Sequence, residues 1–542
     1  MEKLLLLGNE AIACGAMDAG ISGIYAYPGT PSTEITEYVQ NSPEAYNKGI
    51  RSEWSVNEKT ALEAALGMSY AGKRSMVCMK HVGLNVAADP YINAALTGVN
   101  GGLIVTVADD PSMHSSQNEQ DSRFYGKFAR MPVLEPSEQQ EAYNMIFYAF
   151  ELSEKYKLPV MLRITTRLAH SRTGIVRRNG LRQNNLNLPS DSKQFVLLPS
   201  IARGRYKLLL RLQPQLENES EISGYNMFFP GNQKNLGIIA AGIAYNYYLE
   251  VSRKNKLNYP VLKICQYPLP VKLLEKIAGE TQKLLVLEEG YPFIEEQLRG
   301  FFNKPFIVEG RLSGKIPYDG ELNPDCVADA LDIEKKVLHS VPSVVVNRPP
   351  ALCKGCSHAD MFFALNEAMK KFGKGKVFSD IGCYTLGALP PYEAIYSCVD
   401  MGASVTMAKG AADAGLFPAV AVIGDSTFTH SGITGLLDAV NDNSPVTIII
   451  SDNLTTGMTG GQKSSASGRL ESICKGIGVD PQHIRIINPL KKFHQENVTI
   501  LLKEIEYKGV SVIISQRECI QTATRRKKTG NSVKLTHDSN EN

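Results

Sequence analysis

Two short segments in the last third of the chain carry residues whose chemistry depends on their meeting in space. Gly424-Asp425-Ser426 follows the apolar run 418–423. Ser451-Asp452-Asn453 follows a second such run, and Asn453 stands 28 positions after Asp425. A buried strand ahead of each motif delivers the aspartate and the asparagine to the carboxyl edge of a parallel sheet, where ligands of open α/β sheets sit. A carboxylate and an amide oxygen are hard ligands that suit Mg²⁺, an ion that also takes diphosphate oxygens. By themselves these residues read as a metal-plus-phosphate site or as two ordinary strand-end turns, where Gly, Asp, Ser and Asn are common.

Cysteine supplies a second constellation. Cys353-x-x-Cys356 is followed by Cys383, 27 positions on, and by Cys519, a further 136 on. The pair alone fits a redox couple, half a zinc site or two structural thiols. The other six, Cys14, Cys78, Cys265, Cys326, Cys398 and Cys474, read as small buried hydrophobes. Glu58 opens a helical pattern with Ala61, Leu62, Ala65 and Leu66 on one face. Burial there raises a carboxyl pKa towards general acid–base use, and the helix dipole equally favours a first-turn glutamate for structural reasons. Thr30 lies in the turn Pro28-Gly29-Thr30-Pro31-Ser32, between a strand and a helix start, where backbone amides can hold a carboxylate. His114, Arg123 and His430 are further substrate-side candidates, each equally a structural hydrogen-bonder. The sequence contains no G-x-G-x-x-G and no P-loop, so nicotinamide or ATP chemistry has no motif to rest on.

The elements that must position these residues are legible as alternation. Short β-rich runs at 24–27, 75–79, 103–107 and 159–165 are separated by helical patterns such as 58–70 and 141–156. The same rhythm resumes at 236–240, 244–251, 261–265 and 284–287, and again at 419–423 and 446–451. It predicts an α/β fold with parallel sheets covered by helices. A length of 542 residues, with 43% apolar and 21% charged residues, allows several cores, and a net charge of +3 points to no polyanionic partner. No apolar run approaches the roughly 20 residues of a membrane span. The start lacks the apolar core and cleavage site of a signal peptide, so a cytoplasmic protein is expected, with neither membrane nor nucleic acid as partner.

The ordered set of motifs resembles a family: the large (alpha) subunits of thiamine-diphosphate-dependent 2-oxoacid:ferredoxin oxidoreductases, in the branch that acts on indolepyruvate. Besides the two motifs above, the stretches that carry the resemblance are Tyr-Pro-Gly-Thr-Pro-Ser at 27–32, residues 79–90 from Met-Lys-His-Val-Gly-Leu, Ser-Gln-Asn-Glu-Gln-Asp-Ser-Arg at 116–123, Thr-Thr-Arg at 165–167, Cys-Lys-Gly-Cys-Ser-His at 353–358, residues 380–387 and Met-Thr-Gly-Gly-Gln at 458–462.

This resemblance implies three doubly wound α/β units: a thiamine pyrimidine-binding domain at 1–175, a middle domain like the C-terminal domain of transketolase at 235–341, and a thiamine diphosphate- and Mg²⁺-binding domain at 350–521. A connector at 176–234 and a basic, polar, disordered tail at 522–542 complete the expectation. Asp425, Asn453 and the Thr455 carbonyl would hold Mg²⁺, in a motif where Ser426 replaces the usual glycine after Gly424 and Asp425. His358 would approach the diphosphate, Glu58 would serve the aminopyrimidine ring, and Thr30 and His430 would face the substrate. Cys353, Cys356, Cys383 and Cys519 would bind one [4Fe–4S] cluster.

The implied reaction is oxidative decarboxylation of an arylpyruvate to acyl-CoA and CO₂, with ferredoxin as acceptor. Implied partners are coenzyme A, a small beta- or gamma-type subunit in a heterodimer, and ferredoxin or another iron–sulfur protein. The family's usual ferredoxin-like module, with its closely spaced cysteines, is not found after Cys519. That favours the alternative of a non-oxidative thiamine-dependent decarboxylase or carboligase, against which the four cysteines argue. A silent scaffold subunit is the remaining rival, opposed by Glu58, Asp425 and Asn453.

Overall fold

Each apolar run becomes a buried strand, because a parallel sheet covered on both faces needs side chains that avoid water in both directions. The structure is a computed structural model that describes residues 3–528, apart from 190, 192, 301–305, 334–341, 347 and 349. The chain divides into two units, Met1–His339 and Ser340–Asn542.

The first unit contains two main sheets. In the seven-stranded one, Leu103–Asp109 and Ser75–Lys80 lie near the centre, flanked by Val160–Thr165 and Val133–Leu134 on one side and by Gly23–Ala26 and Arg51–Trp54 on the other. All six are parallel, and only Gln266–Tyr267 at the edge runs antiparallel. Every residue of Leu103–Asp109 is buried. In the five-stranded sheet, Gly237–Ala241 is central between Lys283–Leu287 and Val261–Ile264. A two-stranded antiparallel ribbon joins Lys3–Leu7 to Arg172–Val176.

The second unit is built on five parallel strands in the order Val377–Ser379, Ala419–Gly424, Val446–Asp452, Ser511–Gln516, Ile484–Ile487. Period-two alternation splits its strands between two cores. Ala419, Ala421, Ile423, Ile448 and Ile450 pack with Val405, Ala408 and Leu436. Val420, Val422, Ile449 and Ile513 pack with Phe362, Leu365, Leu501 and Ile505. Helices therefore cover both faces, which makes the sheet doubly wound.

Three expectations need correction. The stretch expected to be a plain connector holds a 24-residue helix, Pro199–Ile222, with Pro214 inside it. Its buried residues are only Leu209, Leu216, Glu219 and Ser220. So narrow an apolar stripe is hidden in a polar sequence, and an internal proline reads as a breaker. The tail expected to be disordered from Thr522 is instead helical over Ile520–Lys528, while residues 529–542 lie outside the described residues. That helix is anchored by tertiary contacts, such as Arg525 Nη1 donating to the Gly460 carbonyl at 2.7 Å, which no periodicity announces. Of the six cysteines expected to be buried, Cys398 is exposed and Cys326 half-buried. The gap between the domains expected to end at 341 and to begin at 350 falls partly outside the described residues. Among the described residues, no helix is long and apolar enough to cross a membrane.

Candidate active site

In the second unit, the carboxyl ends of four neighbouring strands bring the chemistry together. Asp380 follows Val377–Ser379, Asp425 follows Ala419–Gly424, Asn453 follows Val446–Asp452, and Cys519 lies just beyond Ser511–Gln516. The register pairs Ser379 with Val422, Gly424 with Ser451, and Asp452 with Gln516. Neighbouring strand ends are thus level, and the motifs 28 positions apart in sequence become adjacent.

Asp425 is 2% exposed, and its Oδ2 has no hydrogen-bond partner. Burial, and then the charge of Asp452, push its carboxyl up to about 8. A buried carboxylate oxygen without a donor is a costly arrangement for a protein alone, and it is the arrangement a cation would relieve. Asn453 is 7% exposed. Its Oδ1 accepts from the Thr455 amide at 3.1 Å, and its Nδ2 donates to His358 Nε2 at 3.3 Å. Thr455 is held in turn by its Oγ1 donating to the Gln462 carbonyl at 3.0 Å. Ser426 Oγ accepts from Thr456 Oγ1 at 3.1 Å, so the serine at the usual glycine position ties the two loops together. The residues present fit a magnesium diphosphate: a hard carboxyl oxygen lacking a donor, an amide beside it, and a flanking imidazole.

His358 is enclosed at the start of helix Ser357–Met369, and burial pushes its pKa down to about 4. It is therefore a neutral imidazole at pH 7, which disfavours the cationic form of its expected contact with diphosphate. Its ring lies edge-on to Tyr384, with centroids 6.0 Å apart. The Tyr384 ring also covers Gly424, where an added Cβ would come within 2.6 Å of Tyr384 Cε1. Asp380, buried and bonded by the hydroxyls of Tyr384 and Ser404, fixes that ring.

All four cysteines of interest line one cavity of about 180 Å³, together with His358, Asn453 and Gly457. An added Cβ on Gly457 would lie 3.4 Å from Cys383 Sγ and 3.9 Å from Asn453 Nδ2, so the thiols adjoin the Asn453 loop. Burial pushes the Cys383 thiol up to about 12, helped by Cys356, Cys519 and Cys353. The sulfur of Cys356 accepts from the amides of His358 and Ala359. Among the described residues, no three His, Cys, Asp or Glu side chains stand close enough to hold a single ion.

His430 is buried in the π-helical turn Phe428–Gly432, with Nδ1 2.6 Å from Ser431 Oγ. Such turns recur at functional sites.

In the first unit, Glu58 is 4% exposed at the start of helix Glu58–Tyr70, behind the cap Asn57, whose side chain accepts from the Thr60 amide. Its carboxyl rests on Gly83. An added Cβ there would lie 2.5 Å from Glu58 Oε1 and 2.8 Å from Cδ. Thr30 sits half-buried in its turn, and its carbonyl accepts from Ser115 Oγ at 3.3 Å. Lys80 at the end of strand Ser75–Lys80 covers Gly29 and donates to the Ser115 carbonyl at 3.1 Å. Burial pulls the Lys80 ammonium down, opposed by Asp110 and Glu58, which places a cation within charge reach of Glu58.

The other two substrate-side candidates are used elsewhere. Arg123 is fully enclosed, bonded to Asp121, Glu288 and the carbonyls of Glu289 and Tyr291. It ties the two sheets of this unit together. His114 is half-exposed and faces Glu321, 3.4 Å away.

With this geometry in place, similarity to known proteins decides the family. Residues 14–184 match the family model of the thiamine-diphosphate-binding domain of pyruvate flavodoxin/ferredoxin oxidoreductases. Residues 380–497 match that of the C-terminal TPP-binding domain of thiamine pyrophosphate enzymes. The chain is 39% identical over 569 residues to the indolepyruvate oxidoreductase subunit IorA of Archaeoglobus fulgidus, covering 99% of this chain and 90% of that one. It is 38% identical to the IorA subunit of Methanothermobacter thermautotrophicus, over 96% of this chain and 87% of that one. The chain belongs to the IorA family. The IorA family sits among the thiamine-diphosphate-dependent oxidoreductases of 2-oxo acids, and the two matched segments contain Glu58 and Asp425 respectively. A solved 2-oxoglutarate:ferredoxin oxidoreductase from Magnetococcus marinus shares the fold, with a TM-score of 0.50 over 61% of this chain and 65% of that chain at 16% identity.

Sequence reasoning overlooked Lys80, Gly83, Asp380 and Tyr384. All four lie in the stretches 79–90 and 380–387 that carried the resemblance, but a supporting residue has no signature until its neighbours in space are known.

Proposed function

We propose that this IorA-family chain is the catalytic subunit of an oxidoreductase that converts an arylpyruvate, of the indolepyruvate type, and coenzyme A to acyl-CoA and CO₂. A ferredoxin is the electron acceptor and a small beta- or gamma-type subunit is the partner. The relatives' names, which specify indolepyruvate and call each a subunit, support the substrate class and the partner. In the balanced reaction one carbon–carbon bond breaks and one carbon–sulfur bond forms, and one proton and two electrons leave.

Asp425, Asn453 and the Thr455 carbonyl would hold Mg²⁺ and through it the diphosphate, with Gly424, Ser426 and His358 around it. The partnerless Asp425 Oδ2 supports this role. When bound, thiamine supplies an electron sink for the pair left behind as CO₂ departs. Glu58 would move a proton between its carboxyl and the aminopyrimidine nitrogen, held in aim by Gly83. Thr30 would anchor the substrate carboxylate, and His430 would orient the substrate by hydrogen bonding.

The observation that carries the oxidative reading is the cavity shared by Cys353, Cys356, Cys383 and Cys519 with His358 and Asn453. A [4Fe–4S] cluster there would give electrons an exit beside the diphosphate-holding residues, and a non-oxidative decarboxylase needs none. Anaerobic purification, iron quantitation and EPR of the dithionite-reduced protein test it. About four irons per chain are expected, and folded, thiamine-loaded protein without iron would end the reading.

A further inference from the structure

We propose that the mouth of the four-cysteine cavity is the docking surface for an acidic single-electron carrier protein, gripped by a basic rim that includes Lys354, Arg525 and Lys527. The inference rests on the oxidative reading above and adds where the carrier binds.

The cavity opens to solvent on one side. Cys353 is exposed, and Cys356 and Cys519 are half-buried. Ile520, 38% exposed, lines the mouth and packs on the turn between the paired cysteines, since an added Cβ on Gly355 would lie 3.6 Å from its Cδ1. Lys354, next to that glycine, is exposed. From Ile520 the helix continues to Lys528. Ile520, Thr524 and Lys527, at helical spacing i, i+4, i+7, are all exposed on one side of it. Arg525 lines the cavity itself and is steadied by the Gly460 carbonyl.

The charge balance at this mouth is one-sided. Among the described residues, Glu518 pairs with Arg526 and Asp360 with Arg517, the latter at 2.8 Å. Lys354 and Lys527 add positive charge beyond those pairs. The whole chain carries only +3, so the run Arg525-Arg526-Lys527-Lys528 is a local concentration and not a reflection of bulk composition. A small apolar centre inside a charged rim is the form of brief electron-transfer encounters, which bury little area and rely on electrostatic steering. Each encounter would carry away one of the two electrons released per 2-oxo acid, so the surface must release its partner readily. A weak, salt-sensitive contact does so.

The test uses the chain purified anaerobically with its small subunit, and an acidic [4Fe–4S] ferredoxin as probe. The Kd is measured by calorimetry across ionic strength for wild type, Lys354→Glu, Lys527→Glu and the double variant, with Lys→Gln counterparts. The double reversal is expected to weaken Kd about tenfold or more at low salt, the Gln variants less, and the curves to converge near roughly 0.5 M salt. Iron content and reduction of a neutral dye should match wild type. If Lys354→Glu lowers iron content, Lys527→Glu, which lies outside the cysteine turn, decides the question alone. Unchanged Kd in that variant overturns the surface while leaving the oxidative reading intact. So does equally tight binding of polyglutamate, which would mark a non-specific polyanion patch. Wild-type protein that holds no iron and reduces no dye overturns both.

Discussion

Replacing Asp425 by alanine separates holding the cofactor from holding the fold. The side chain is 2% exposed and its Oδ2 has no donor. A buried unsatisfied polar group costs about 1–3 kcal/mol, more when charged. Asp425→Ala removes that cost along with the side-chain bond from Ser464, so in EDTA the variant should melt at or slightly above wild type. With Mg²⁺ and thiamine diphosphate the order reverses. Truncating one partner of a buried charged contact costs roughly 2–5 kcal/mol, which is about a 30-fold to several-thousand-fold loss of affinity. At a ligand concentration of about 100 times the wild-type Kd, wild type gains about 2.7 kcal/mol, while a variant binding 30-fold more weakly gains under about 1 kcal/mol. Calorimetric titration of thiamine diphosphate at fixed Mg²⁺, with melts in EDTA and at saturating ligand, measures both halves. Unchanged affinity would refute the metal-site role. A variant that melts well below wild type in EDTA would mean that Asp425 is a structural residue.

Four further outcomes follow from the geometry. Glu58→Gln should leave cofactor affinity within a few-fold but lower turnover by roughly two to four powers of ten, the general acid–base range; NMR of proton–deuteron exchange at the thiazolium carbon reads it directly, and wild-type exchange would remove Glu58 from the mechanism. Gly83→Ala should lower turnover although Glu58 is untouched, because the new Cβ would sit 2.5 Å from Glu58 Oε1; the turnover assay and circular dichroism together separate a displaced carboxyl from a lost fold. Cys519→Ala should sharply lower iron content and the reduced-state EPR signal without loss of thiamine binding, and full iron content would show that Cys519 is no ligand. Arg123→Ala strands Asp121 and Glu288 and should cost about 3–5 kcal/mol of stability in denaturant melts, whereas a substrate-binding arginine would raise KM with stability intact.

The central buried strands and the helices Glu58–Tyr70, Gln139–Tyr156 and Ala244–Asn255 were legible because each sits in a run of one period. Helix Glu58–Tyr70 and the strand before Asp425 need only their own residues to be recognised. The convergence of Cys519 with Cys353 was legible only through resemblance, because their adjacency is set by strand order, which no local pattern encodes. For Arg123 the sequence left a substrate-side and a structural role equally open, because several of its partners are remote in the chain. Its burial depends on Glu288, 165 positions away. The helix Pro199–Ile222 and the helical start of the tail were missed for the opposite reason: each is held by a few tertiary contacts and shows little apolar period of its own. Lys80, Gly83, Asp380 and Tyr384 are supports, whose role exists only relative to Thr30, Glu58 and Gly424.

The central claim is that this chain oxidises its 2-oxo acid and sends the electrons out singly. The chain with its small subunit, supplied anaerobically with thiamine diphosphate, Mg²⁺, indolepyruvate, coenzyme A and oxidised ferredoxin, tests this by product stoichiometry. The account predicts one acyl-CoA and two reduced ferredoxins for each CO₂ released. Release of CO₂ with an equal amount of aldehyde, and with the ferredoxin still oxidised, would contradict it.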